Sequence, residues 1–145
     1  MRKYLLLFAV CCLSFWSCDK RQEDPFATVK PEESRFTKIP LAGNFNEPME
    51  IEVLDNGDVL IIERHGKLKL FQAASGETSV VGELNVFPER EDGLMGMAKD
   101  PDFAKNNWLY LYYAPAAEAS LNRISRFDFV ENKLDLASEV IIMDV

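Results

Sequence analysis

Histidine and cysteine are nearly absent from this chain, which removes whole classes of chemistry at the outset. One histidine and three cysteines occur in 145 residues, and the cysteines (Cys11, Cys12 and Cys18) all lie in the first eighteen positions. The remainder has no pair for a disulfide and no cysteine–histidine cluster for zinc. Positive charge is also scarce. Removing Arg2 and Lys3 from the 16 basic residues leaves 14 against 24 acidic ones, a net −10 from Asp19 onward. That balance favours solubility and offers no basic stripe to nucleic acid. Sustained 3.6-residue apolar periodicity is missing too, so helix content should be low.

The longest apolar run, Tyr4 to Trp16, follows the basic pair Arg2-Lys3. It is too short and wrongly flanked for a membrane span and reads as an export signal over residues 1–18. Cys18 follows the small residue Ser17 and precedes the polar switch Asp19-Lys20-Arg21. This pattern resembles the lipobox of bacterial lipoproteins, in which the cysteine is diacylated and becomes the new N-terminus. Phe15 and Trp16 depart from that pattern. The competing reading is an ordinary cleaved signal, but no Ala-x-Ala site lies nearby. The expected location is therefore the bacterial cell envelope, periplasm or cell surface, with the membrane reached through the lipid anchor only. Residues 19–35 are rich in proline and charge and read as a flexible tether, leaving 36–145 as the folded part.

From Phe36 onward the chain is short strands broken by turn signals. Phe36 to Leu41 reads as a lead-in strand, ended by Asn46-Glu47-Pro48. Met49 to Leu54 alternates apolar with acidic residues, the pattern of a half-buried strand with its glutamates outward. Asp55-Asn56-Gly57-Asp58 predicts a type I′ hairpin turn, and the aliphatic run Val59 to Ile62 predicts a strand covered on both faces. His65-Gly66 and Ser75-Gly76-Glu77 turn the chain again, around strands at Leu68–Phe71 and Thr78–Leu84. A second group follows: Leu94–Ala98, a turn at Asp100–Asn107, Trp108–Tyr113, Asn122–Val130, a turn at Glu131-Asn132-Lys133, and Ser138–Val145.

Two four-stranded meanders spaced by about 40 to 50 residues are the pattern of consecutive β-propeller blades. The fold class is all-β; a β-sandwich is the alternative. Two blades cannot close a ring. The sequence thus reads as the N-terminal piece of a longer protein, truncated at its C-terminus.

Three landmarks carry a family resemblance. The first is Asn46-x-Pro48 with Asp55-Asn56-Gly57-Asp58-Val59-Leu60-Ile61-Ile62-Glu63-Arg64-x-Gly66-Lys67-Leu68. The second is Glu91-Asp92-Gly93-Leu94-Met95-Gly96 running into Asp100-Pro101-Asp102-Phe103. The third is Asn106-Asn107-Trp108-Leu109-Tyr110-Leu111-Tyr112-Tyr113, followed by Arg123-Ile124-Ser125-Arg126-Phe127. In this order they resemble the glucose/sorbosone dehydrogenase family, the soluble PQQ-dependent sugar dehydrogenases. The resemblance implies a six-bladed β-propeller of which about two N-terminal blades are present here. It implies PQQ and calcium as cofactors, a sugar substrate, and an electron acceptor such as a cytochrome. In the family a histidine takes the hydroxyl proton as hydride passes to the quinone, calcium polarises the quinone carbonyl, and arginine and lysine steady the developing charge.

Carried over residue by residue, only Glu91 maps onto the family's cofactor cleft, where glucose-oxidising members carry glutamine. A carboxylate there repels an anionic cofactor unless calcium or an arginine intervenes. The plainer reading is that Glu89, Glu91 and Asp92 form a solvated acidic turn. The catalytic histidine and the calcium ligands are expected downstream of Val145, so no catalytic or metal residue is assigned within this chain. His65 reads as a surface turn residue. Asp100, Asp102, Asn106 and Asn107 offer oxygen ligands, but without the spacing of an EF-hand, and read as a turn. Trp108, Tyr110 and Tyr112 lie on one strand face, where packing between blades competes with sugar stacking. Gly93 and Gly96 have no following helix or lysine-serine pair and make no phosphate loop. The competing functional class is a non-enzymatic cell-surface propeller that binds a partner without the catalytic histidine.

Overall fold

The computed structural model describes residues 32–118 and 121–145. The export segment, Cys18 and the tether up to residue 31 lie outside the described residues. The chain divides into two units, 1–38 and 39–145. Of the first, the described part holds a single 3-10 turn at Glu33–Arg35. Residues 36–41 form no strand and are exposed, which corrects the expected lead-in strand. Pro40 interrupts the run and brings no N–H for a ladder.

The second unit is built from eight strands: β1 (Pro48–Val53), β2 (Val59–Glu63), β3 (Lys67–Phe71), β4 (Thr78–Glu83), β5 (Leu94–Lys99), β6 (Trp108–Tyr113), β7 (Arg123–Val130) and β8 (Lys133–Asp144). One helical turn, α1 (Phe103–Asn106), stands between β5 and β6. The strands make two antiparallel sheets in the orders β1-β2-β3-β4 and β5-β6-β7-β8. The first strand of one sheet packs beside the first of the other, and the two last strands, β4 and β8, also meet. This is the arrangement of two consecutive β-propeller blades.

Each sheet contributes its apolar face to one core. Leu60, Ile62, Leu68 and Leu70 from the first meet Leu94, Leu109, Leu111 and Phe127 from the second. β2 is covered on both faces, as its aliphatic run predicts: Leu60 and Ile62 face the second sheet, while Ile61 is buried on the opposite side. On that opposite side Glu63 is buried, with its carboxylate 2.6 Å from the Lys69 ammonium and accepting the Asn46 N–H at 2.7 Å. Burial pushes the Glu63 pKa up, but Lys69 and the Asn46 amide outweigh it and hold the carboxyl below its ordinary range.

β1 inverts the expected pattern. Met49, Ile51 and Val53 are exposed, and the glutamates between them turn toward the second sheet. Glu50 accepts the Met97 N–H at 2.7 Å, and Glu52 accepts the Lys99 N–H at 3.3 Å. Lys99 in turn donates to the Val53 carbonyl at 2.7 Å. The free edge of β5 has unpaired N–H groups, and the carboxylates satisfy them more strongly than water-facing apolar side chains could.

The turns also depart from expectation in an instructive way. At Asn56-Gly57 only Gly57 has positive φ (87°), and Gly57 N–H and Leu54 N–H bond the Leu54 and Asp58 carbonyls respectively. That is a three-residue turn with a glycine bulge rather than type I′. The buried Asp58 carboxylate accepts the Asn56 amide and the Ala73 N–H, both at 2.8 Å, which keeps Asn56 out of the left-handed region. The two-residue turn with both φ positive is instead Glu131-Asn132, at 51° and 59°. It lets β8 begin at Lys133, earlier than the expected Ser138, with register shifts absorbed along the pairing with β7.

Where β4 meets β8, a Cβ at Gly82 would lie 2.7 Å from Leu134 Cβ. Gly82→Ala should therefore destabilise the protein by about 1–3 kcal/mol, read as a lower urea midpoint. An unchanged midpoint would mean that these strands do not pack as described.

Candidate functional site

An antiparallel meander sends alternate turns to opposite ends, which sorts the candidate residues into two groups. One end carries the β2–β3 turn (64–66), the β4–β5 connection (84–93) and the β6–β7 loop. These are laced together by backbone bonds: Leu84 N–H to the Gly66 carbonyl (2.9 Å), Leu94 N–H to Arg64 (2.8 Å), Phe87 N–H to Ala114 (2.9 Å) and Ala114 N–H to Gly93 (2.9 Å). The other end carries the 54–58 and 72–77 turns, α1 and the Glu131-Asn132 turn.

Glu91 belongs to the first end. It is exposed on the 84–93 connection, and among the described residues its carboxylate meets no donor. The backbone that carries it is held closely. Arg64 Nη1 donates to the carbonyls of Pro88 (2.5 Å), Asp92 (3.2 Å) and Arg90 (3.3 Å). Arg64 Nε donates to the Glu47 carboxylate. This bond lowers the Glu47 pKa and holds the Arg64 guanidinium above its ordinary range. His65 sits in the same turn, with Nε2 3.7 Å from the Glu47 carboxylate and a half-exposed ring. Arg64 and Glu47 did not stand out by residue type. Their signal is the Glu63-Arg64-x-Gly66 corner, which shows only which family the turn resembles.

Asp100, Asp102, Asn106 and Asn107 lie at the opposite end from Glu91. Asp100 accepts the Asp102 N–H, the Asn106 amide and the Tyr110 hydroxyl, each at 2.9 Å. Asn107, with φ at 56°, caps α1 through its N–H to the Phe103 carbonyl. These bonds make an aspartate-anchored turn. Among the described residues no three His, Cys, Asp or Glu side chains converge as a metal-holding group. A cleft of about 300 Å³ opens at this end, lined in part by Leu54, Phe103, Asn107, Phe129 and Asn132.

The aromatic strand divides as its alternation requires. Leu109, Leu111 and Tyr113 are buried between the sheets, whereas Trp108, Tyr110 and Tyr112 are half-buried on the far face of the second sheet. There the Arg126 guanidinium lies 4.2 Å from the Trp108 ring centroid, and Tyr110 is tied to Asp100. Both rings are engaged in holding the sheet. A further polar group was not legible in the sequence: the exposed Glu139 of β8 accepts hydrogen bonds from the buried Ser125 Oγ (2.6 Å) and from Tyr113 OH. Burial, then the Glu139 bond, raises the Tyr113 pKa.

Two four-stranded meanders packed in this way define consecutive blades of a β-propeller. The profile of the Glucose / Sorbosone dehydrogenase family matches residues 45–145, and the chain belongs to that family. An uncharacterized protein of Synechocystis sp. is 28% identical over 116 residues, covering 73% of this chain and 28% of that protein. Among solved structures, a Thermus thermophilus oxidoreductase assigned as a glucose dehydrogenase superposes with a TM-score of 0.66 at 28% identity, over 72% of this chain and 31% of the other. The PQQ-bound aldose sugar dehydrogenase of Streptomyces coelicolor superposes with a TM-score of 0.64 at 28% identity, over 72% and 32%. The chain thus spans about a third or less of the length of these relatives.

Asp100 yields a pH prediction. Bonds from Asn106, then the Asp102 amide and Tyr110, hold its pKa below the ordinary 3.8. A carboxyl whose folded pKa is depressed stabilises fully above its unfolded value and loses that contribution as pH falls through the folded one. Asp100→Asn should therefore be less stable than wild type at pH 6, with the deficit shrinking below about pH 4. Urea titrations at pH 6 and pH 3 check this; an equal deficit at both would contradict it.

Proposed function

We propose that the protein to which this chain belongs oxidises the hydroxyl or hemiacetal of an aldose with PQQ as hydride acceptor. The observation that carries this reading is the family match over residues 45–145, joined to a loop end that is ordered around Arg64. PQQ is supported by the bound cofactor of the Streptomyces coelicolor relative. Calcium, a cytochrome-type electron acceptor and the catalytic histidine are carried by the resemblance alone.

In this reading the residue 88–93 connection stands at the rim of the cofactor site. Glu91 stands exposed on a backbone held by three carbonyl bonds, at the end where the inter-blade loops gather. When bound, the quinone supplies the two-electron acceptor that no side chain provides. In this reading the chain's own contribution is an exposed carboxylate at the loop end, on a backbone held by Arg64. Glu91 has no cation partner among the described residues, so it would sit as like charge beside an anionic cofactor. The lipid anchor at Cys18 and an envelope location complete the proposal, on the strength of the N-terminal pattern.

The second reading, a cell-surface binding propeller without chemistry, draws on this same carboxylate standing where glutamine is usual. Reconstituting the full-length protein with PQQ and calcium and following dye reduction with a panel of aldoses separates the two. Turnover with at least one aldose is expected, and none with any would favour the binding module. Glu91→Gln should tighten PQQ binding by about 3- to 10-fold through loss of one repulsive charge, measured by fluorescence titration.

A further inference from the structure

We infer that Arg64 is a positioning residue that fixes the backbone of residues 88–93 and so sets where Glu91 stands; its bearing on the cofactor rests on the reading above. The three carbonyls it binds belong to alternate residues, Pro88, Arg90 and Asp92, and all converge on one nitrogen, Nη1. The connection therefore curls around the guanidinium, with Glu91 exposed on it.

Two features inside the curl show that it is a built conformation. Arg90 takes a positive φ of 59°, unusual for a side-chain-bearing residue, and Asp92 N–H closes onto the Glu89 carbonyl at 3.1 Å. Gly93, at φ 135°, ends the curl against Arg64 itself. A Cβ there would lie 2.4 Å from the Arg64 carbonyl oxygen and 2.8 Å from its Cγ. One cation meets the three inward-pointing carbonyls, and Glu47 holds that cation from the other side. The Arg64 backbone is held from the same two directions: its N–H bonds the Glu47 carbonyl (3.0 Å), and its carbonyl accepts the Leu94 N–H. The planar fork of arginine spans the carboxylate and the carbonyls together. A lysine ammonium, a point charge on a flexible stem, can serve one side only.

The test uses the full-length protein with Arg64→Gln and Arg64→Lys, alone and combined with Glu91→Gln. The first readout is hydrogen exchange of the Asp92 and Leu94 amides in the cofactor-free protein, with Leu68 and Leu70 as core references. Both amides should exchange at least tenfold faster in Arg64→Gln and by an intermediate factor in Arg64→Lys, with the references unchanged. The second readout is PQQ affinity by fluorescence titration. The gain from Glu91→Gln should shrink toward onefold when Arg64 is Gln, because Glu91 no longer has a fixed place. Loop exchange unchanged from wild type would overturn the inference. Faster exchange with the Glu91→Gln effect fully retained would overturn it as well, leaving Arg64 merely structural. Should Arg64→Gln fail to fold, Glu47→Gln, which frees one side of the guanidinium, must still speed exchange at Asp92. Failure of the wild type to bind PQQ would refute the functional reading alone, since the exchange readout needs no cofactor.

Discussion

A single guanidinium, that of Arg64, is the point on which the loop end of this molecule depends. It lies at the corner after β2, is mostly buried, and joins three parts of the chain. Glu47 comes from the entry to β1, the three carbonyls from the inter-blade connection, and its own carbonyl receives the first amide of β5. Remove the cation and three carbonyl dipoles converge on nothing, while a carboxylate loses its partner. Arg64 and these backbone bonds together set the geometry of the connection, and Gly93 is required both by its φ of 135° and because Arg64 already fills the space a side chain would need.

Between the sheets, the division of labour is apolar in the middle and charged along the inner edge. The leucine-rich cluster supplies most of the burial. Glu50 and Glu52 then fix how the second sheet sits against the first, by bonding amides on the open edge of β5. An apolar side chain in those places would pack but could not satisfy the N–H groups, and the relative height of the two blades would be less well defined. The acidity of the chain is thus partly structural.

The two four-stranded meanders, their order and the double burial of β2 were legible in the sequence, because turn residues and aliphatic runs act locally. What was not legible depends on the neighbouring sheet. Met49, Ile51 and Val53 look like the buried face of β1 until the edge of β5 is seen to need the glutamates between them. Asn56-Gly57 has the composition of a type I′ turn, but the Asp58 carboxylate selects another, and the type I′ geometry falls at Glu131-Asn132. Phe36 to Leu41 has strand-like residues and no strand to pair with. At the candidate site the sequence marks Glu91 by its resemblance to a cleft position. It does not mark Arg64, whose role exists only once three carbonyls 24 to 28 residues away converge on it.

Whether the Arg64-ordered end, with Glu91 at its rim, is the cofactor end of these two blades can be decided by crystallography. The structure to determine is that of the full-length protein soaked with PQQ and calcium. Quinone density is expected beside the residue 88–93 connection, with Arg64 still bonded to the carbonyls of Pro88, Arg90 and Asp92. Quinone bound instead at the opposite end, against the cleft of Leu54, Phe103 and Phe129, would refute that assignment.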